Sequence, residues 1–194
     1  MIKLWLIAIV FLLQTACGPT YIRSVLLTET KLDPETDGIM IGVIELESSS
    51  ALQDADSDFK PEDIYKVYRE SLNKALKLYG LAYEPGKNKI ITNITILGYK
   101  EGNAFIRWLS PAGGESRIQA QATLEVDGQI IGGVESQQTI AWGGGYSIGG
   151  WRKVIRWAAY DVGSKFCQEA FRKTSRTNCA LLRLPKTQAE KDLI

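Results

Sequence analysis

Between Ile118 and Val126 the chain alternates without exception. Ile118, Ala120, Ala122, Leu124 and Val126 are apolar, and Gln119, Gln121, Thr123 and Glu125 between them are polar. A period of two is the signature of a strand with one covered and one wet face. Asp127-Gly128 follows at once, a dipeptide that tolerates the positive φ angles of a tight hairpin turn, and residues 129–142 return as the partner strand. Any fold for this chain must therefore hold an antiparallel hairpin with a buried face. Gly132-Gly133 in the return strand marks an expected bulge or close backbone approach.

The flanking segments supply the rest of a core. Residues 89–99 are β-branched, with Ile90, Thr92, Ile94 and Ile96 on one face and Ile91, Asn93, Thr95 and Leu97 on the other, which reads as a central strand. Residues 39–46 form a short apolar run ending in acidic residues, as expected for a strand buried on both faces. Pro61 starts a helix, with Glu62 and Asp63 in its first turn, Ile64, Tyr65, Val67, Tyr68, Leu72, Ala75, Leu76 and Tyr79 at three- and four-residue steps, and Gly80 as the stop. A second amphipathic helix is predicted over 151–173, repeating Val154, Ala158, Val162, Phe166 and Ala170, with Ile155, Ala159 and Phe171 beside them. The order β-α-β-β-β-α predicts an α+β fold, a mixed or antiparallel sheet of about four strands covered by two helices, over residues 38–173. No internal repeat is present.

The N-terminus has a different character. Lys3 is followed by an uncharged run over 4–13, too short for the roughly twenty residues of a bilayer-crossing helix but right for an export signal. Gln14-Thr15-Ala16-Cys17-Gly18 then resembles the lipobox of bacterial lipoproteins, in which the cysteine is acylated and becomes the new N-terminus. Gln14 departs from that pattern, which usually has Leu there, and Leu13 stands one place further back. The resemblance implies a signal peptide over 1–16, a lipid such as palmitate on Cys17 and attachment to the cell envelope. No aspartate follows Cys17, which by the same resemblance favours the outer membrane, facing the periplasm. Residues 17–37, ending in Asp33-Pro34-Glu35-Thr36-Asp37-Gly38, read as a membrane-proximal tether, and 174–194 as a C-terminal tail.

Cys167 and Cys179 are the remaining cysteines, and in an oxidising compartment they are expected to pair and pin the tail, two buried free thiols being the alternative. The signal carries one of the 23 basic residues and no acid, so 22 basic and 22 acidic residues remain. That balance gives no pull toward nucleic acid.

Ile94-Thr95-Ile96-Leu97-Gly98-Tyr99, Gly102-Asn103-Ala104-Phe105-Ile106-Arg107-Trp108-Leu109, Gly113-Gly114, the strand at 118–126 and Gly143-Gly144-Gly145 before a helix together resemble an uncharacterised group of bacterial envelope lipoproteins known only as a domain of unknown function. More distantly, the element order and the Gly98-Tyr99 strand end are similar to the periplasmic domain of curli-secretion lipoproteins. Those proteins build a barrel from paired long hairpins, and here the one segment in that position, 100–117, is short and contains Pro111. The first resemblance implies location and fold and assigns no chemistry.

The absence of histidine removes Ser-His-Asp and Cys-His sites and the commonest metal ligand. Glu45 and Glu47 form a carboxylate pair at a strand end, where solvation explains them without a catalytic partner. Asp54-Ala55-Asp56-Ser57-Asp58 imitates half a calcium loop, but Phe59 and Tyr65 stand where glycine and the bidentate glutamate are needed. No metal and no cofactor are expected. The glycine-rich stretch at 143–150 lacks a phosphate-loop Lys-Ser/Thr, though Gly144, Gly145, Arg152 and Lys153 are candidate anion contacts, because two cations in a first helical turn oppose its dipole. Trp151, Arg156 and Trp157 fit either lipid headgroups or a core-facing tryptophan beside a basic face. Phe105, Arg107 and Trp108 are candidate partner contacts, read outside any regular element. The sequence thus predicts a non-enzymatic lipoprotein that binds an envelope component or its own copies. The alternative is a small ligand-binding, carbohydrate-binding or carbohydrate-active periplasmic protein.

Overall fold

The structure, a computed structural model, describes residues 21–26, 32–48, 51–53, 60–109, 114–141 and 150–170. Among the described residues six strands form one mixed sheet: β1 (Tyr21–Leu26), β2 (Asp37–Leu46), β3 (Leu52–Gln53), β4 (Asn88–Lys100), β5 (Ser116–Val126) and β6 (Gln129–Ile140). Their order across the sheet is β1-β6-β5-β4-β2, with β3 pairing onto β4 beyond the end of β2. Two long helices, α1 (Pro61–Leu78) and α3 (Gly150–Lys165), contribute to the same hydrophobic core as one face of the sheet, giving the expected α+β architecture. A short helix, α2 (Ala104–Leu109), joins β4 to β5, and α3 runs into a π-helical turn, Phe166–Ala170.

The hairpin forms as its alternation requires. Ile118, Ala120, Ala122 and Leu124 are buried, and Asp127 and Gly128 take φ values of 49° and 80°, the pair of left-handed conformations that a two-residue turn needs. The glycine pair in β6 meets both expectations. The register slips between Leu124 and Glu125, and a Cβ on Gly133 would stand 3.2 Å from the Ala122 carbonyl. In β4, Ile90, Thr92, Ile94 and Ile96 face the helices, fully buried.

Helix α1 starts on Pro61 with Glu62 and Asp63 behind it and stops at a Schellman turn, in which the Leu81 amide donates to the Leu76 carbonyl (2.8 Å) and the Gly80 amide to Lys77 (3.1 Å). Gly80 accepts φ 71° there, and Leu76 and Leu81, both buried, cover the turn. At Gly163 of α3 an added Cβ would come within 2.8 Å of the Ala75 Cβ, so the two helices meet on that glycine.

Three expectations change. β2 is an edge strand rather than one buried on both faces: Ile39, Ile41 and Ile44 are buried, while Met40 and Val43 are exposed. A register shift between Ile41 and Ile44 turns the strand at its middle, and the Asn93 side chain fills the gap, accepting from the Val43 amide (2.9 Å) and donating to Glu125. The segment read as a tether contains β1, which pairs antiparallel with β6 from Tyr21 opposite Gln137 to Leu26 opposite Gly132. The acidic, serine-rich stretch before α1 contains β3. Both extra strands take their identity from a partner rather than from their own pattern, and they raise the sheet from about four strands to six.

The outer edge of β2 is closed by local donors and acceptors. The Ile39 amide donates to Leu81, the Tyr83 amide donates to Ile39, Arg69 donates to the Ile41 and Gly42 carbonyls (3.2 and 2.8 Å), and the Leu46 amide donates to the Tyr65 hydroxyl. An edge dressed this way offers little template for another strand.

Candidate interaction surface

Between β4 and β5, the described residues 101–109 and 114–115 form a pinched neck carrying a short helix. The Asn103 amide donates to the Gly114 carbonyl (2.9 Å), and the Ser116 hydroxyl donates to the Glu101 carbonyl. Gly102 takes φ 73°, and a Cβ there would run into the backbone of Gly114 and Glu115, so only glycine lets the two sides of the neck close. The Asn103 carboxamide oxygen then accepts from the Phe105 and Ile106 amides (2.9 and 3.1 Å), capping α2 at its first turn. The result is a fixed projection with apolar tips. Phe105 is 65%, Ile106 45% and Leu109 60% exposed.

Phe105, Arg107 and Trp108 therefore lie on a helix, not outside regular structure. Asn103 at the cap was the sequence signal for it. Phe105 is at the exposed surface, whereas the side chains of Arg107 and Trp108 lie outside the described residues. Around the neck the charges alternate: Lys100 stands opposite Arg117 across β4 and β5, Glu101 and Glu115 stand beside them, and Arg117 pairs with Glu115 at 3.0 Å.

The other sequence candidates fall into two groups, those outside the described residues and those on other elements. Cys17, Gly144, Gly145, Cys179 and the half calcium loop at 54–59 lie outside the described residues. Arg152 is exposed at the start of α3 and stacks over the Trp151 ring, 4.6 Å from its centroid. Trp151 is itself partly buried and packed on the core. Lys153 is half-buried in the same turn, which contains no acid. Glu45 and Glu47 are exposed at the end of β2. Cys167 is fully buried in the π-helical turn. Among the described residues no group of three or more Cys, Asp or Glu side chains is placed to hold a metal ion, and no helix is long and apolar enough to cross a membrane.

The sequence reading missed a buried polar cluster where α3 crosses β6. Asp161 Oδ2 accepts from the Gln138 amide. Burial pushes its carboxyl up to about 6, against the opposing pull of Gln138, Ser136 and the Lys165 charge. Burial, with the Asp161 charge behind it, also raises the Tyr68 and Tyr79 hydroxyls. Gln138 and Ser136 occupy positions that the alternation of β6 assigns to the core, and polar residues there were the available signal. The cluster is enclosed between α1, α3 and β6, so it reads as a structural network.

The fold is similar to that of PelC from Paraburkholderia phytofirmans, solved as a dodecamer. One crystal form matches at a TM-score of 0.50 and 12% identity over 74% of this chain and 95% of that one, and a point variant of the same protein at 0.48 and 13% over 74% and 94%. A candidate lipoprotein from Caulobacter crescentus CB15 matches at 0.33 and 15% identity over 60% and 85%. At these identities the PelC likeness shows the fold and nothing finer. No curated protein matches the sequence. The family match is with the sequence itself and spans residues 24–144, from within β1 to just past the end of β6. The chain belongs to the DUF4410 family, a domain of unknown function.

Proposed function

We propose that this chain is a lipid-anchored envelope protein that works by binding rather than by catalysis, and that α2 is its contact element. Residues 1–16 are the export signal, Cys17 carries the lipid at the outer membrane, and Cys167 pairs with Cys179 to hold the tail. The observation that carries the binding role is the neck: it immobilises Phe105, Ile106 and Leu109 in solvent on a capped helix. Exposed apolar side chains on a rigid mount are the usual anatomy of a contact site.

A photo-crosslinking residue at Phe105, compared with one at exposed Glu62 on α1, tests the contact in intact envelopes. Position 105 is expected to give adducts that position 62 does not, and matching patterns would defeat the assignment. The anchor is tested separately by the intact mass of the membrane fraction, expected to begin at Cys17 and to include acyl groups. Cys17→Ser should remove the acyl mass and lower the share of the protein retained with membranes.

Self-association is the second reading, favoured by the likeness in fold to a protein solved as a dodecamer. Light scattering on the Cys17→Ser chain is expected to give a multiple of the protomer mass, and a monomer at high micromolar concentration would remove this reading.

A further inference from the structure

We infer that α2 is a lipid-contacting foot: Phe105, Ile106 and Leu109 rest in the bilayer surface and stand the sheet on the membrane, with its strands pointing away. This deepens the proposed function and rests on α2 being the contact element, but not on acylation of Cys17.

Topology places the start of β1, and α2, at the same end of the sheet, and the segment proposed to reach the membrane leads into β1. Lys100, where β4 ends, pairs with Arg117 at the start of β5, and Ser116 pairs with Ile140 at the end of β6. α2 springs from that rim. β1 runs antiparallel to β6, and its first residue, Tyr21, pairs with Gln137, three residues from Ile140. β1 therefore begins at the α2 end, a few residues after Cys17. Four peptide units separate Cys17 from Tyr21, so Cys17 lies within about 14 Å of Tyr21. The rim is roughly 10 Å from Tyr21 at strand spacing. Whether the lipid sits on Cys17 or the apolar run over 4–13 stays in the membrane, the bilayer is drawn to the end of the domain that carries α2.

The chemistry of the rim fits a lipid surface better than a charged partner. Among the described residues its large exposed apolar side chains are Phe105, Ile106 and Leu109, and Lys100 and Arg117 are accompanied by Glu101 and Glu115. Attachment by such a surface draws on apolar burial and not on anionic headgroups, so it should hold on zwitterionic lipid and persist in salt.

The test uses the chain from residue 17 onward with Cys17→Ser, so that no acyl group contributes. It is expected to co-sediment with phosphatidylcholine vesicles, without gain from added phosphatidylglycerol and without loss in 0.5 M NaCl. Phe105→Ser with Leu109→Ser should weaken partitioning about tenfold or more, as expected for withdrawing two large apolar side chains from lipid. Both positions are at the surface, and an unchanged melting curve confirms that the fold survives. Phe105→Trp supplies a second measurement, with emission that brominated phosphatidylcholine should quench beyond the parent protein. Vesicle binding that is absent, or is indifferent to the double variant, overturns the inference. So does a lipid-free oligomer that the double variant dissolves, which would make a second copy the occupant. Failure of Cys17 acylation in cells would sink the anchor and leave the vesicle result standing.

Discussion

Asp161 is the residue whose cost the fold most visibly bears. Its folded value of about 6 lies above the ordinary 3.8, so the native state holds the proton more firmly than the unfolded chain does. Its contribution to stability is full below about pH 4 and is lost as the pH rises through 6, a decline on the order of 3 kcal/mol at 1.36 kcal/mol per unit. Asp161→Asn should remove that decline. Denaturant midpoints at pH 4 and pH 7 should differ less in the variant than in the parent, and equal differences would place the ionisation elsewhere. Thr92 offers a cleaner gain. Its hydroxyl is buried with no hydrogen-bond partner among the described residues, so Thr92→Val, which keeps the shape, should stabilise by about 1 kcal/mol in thermal unfolding. Gly102→Ala works in the opposite direction. The left-handed φ and the approach of Glu115 both oppose a Cβ, and a loss of about 1–3 kcal/mol is expected, together with faster amide exchange at Phe105 and Ile106 as the neck opens. A neck that stays protected would show that Asn103 alone holds α2.

Among the elements, α1 and α3 were legible because each is long enough to display its period several times, and α1 also carries its own start and stop. α2 was not, because six residues cannot show a helical period and its identity rests on one capping asparagine. β1 and β3 were hidden for another reason: a strand completed by its neighbour needs no strict alternation of its own. The contact between α1 and α3 depends on Gly163, which the periodicity of α3 passes over because glycine adds nothing to an apolar face. Gly163→Leu should push the helices apart and cost about 3 kcal/mol or more in chemical denaturation, whereas Gly163→Ala should cost less. Near-equal losses for the two would mean that the helices give way easily.

For the molecule as a whole, the consequence of the topology is polarity. One face of the sheet is packed under two helices, one edge is sealed by Arg69, Tyr65 and residues 81–83, and one end carries the exposed apolar residues of α2. A domain with a committed end is suited to a surface. The proposed Cys167–Cys179 bond would secure the C-terminal tail and contributes about 3 kcal/mol on the chain-entropy account. Without reductant, alkylation of the Cys17→Ser protein should label no cysteine, and with reductant two, with a fall in melting temperature. Labelling before reduction would return both to free thiols.

The order of the main elements, the hairpin with its turn, the buried face of β4 and both ends of α1 follow from the sequence, since each depends on contacts within a few residues or on a period that one element displays alone. The tertiary structure decided what depends on distant partners. It made β2 an edge, converted part of an apparent tether into a strand, and set a half-buried Asp161 between β6 and α3. It also brought α2 to the end of the sheet where β1 begins. Tyr21 and Phe105 are 84 residues apart in the chain, and only the pairing of β1 with β6, and of β6 with β5, places them at one rim. That is why the feature on which the proposed function rests could be named from the sequence as an apolar cluster but not located.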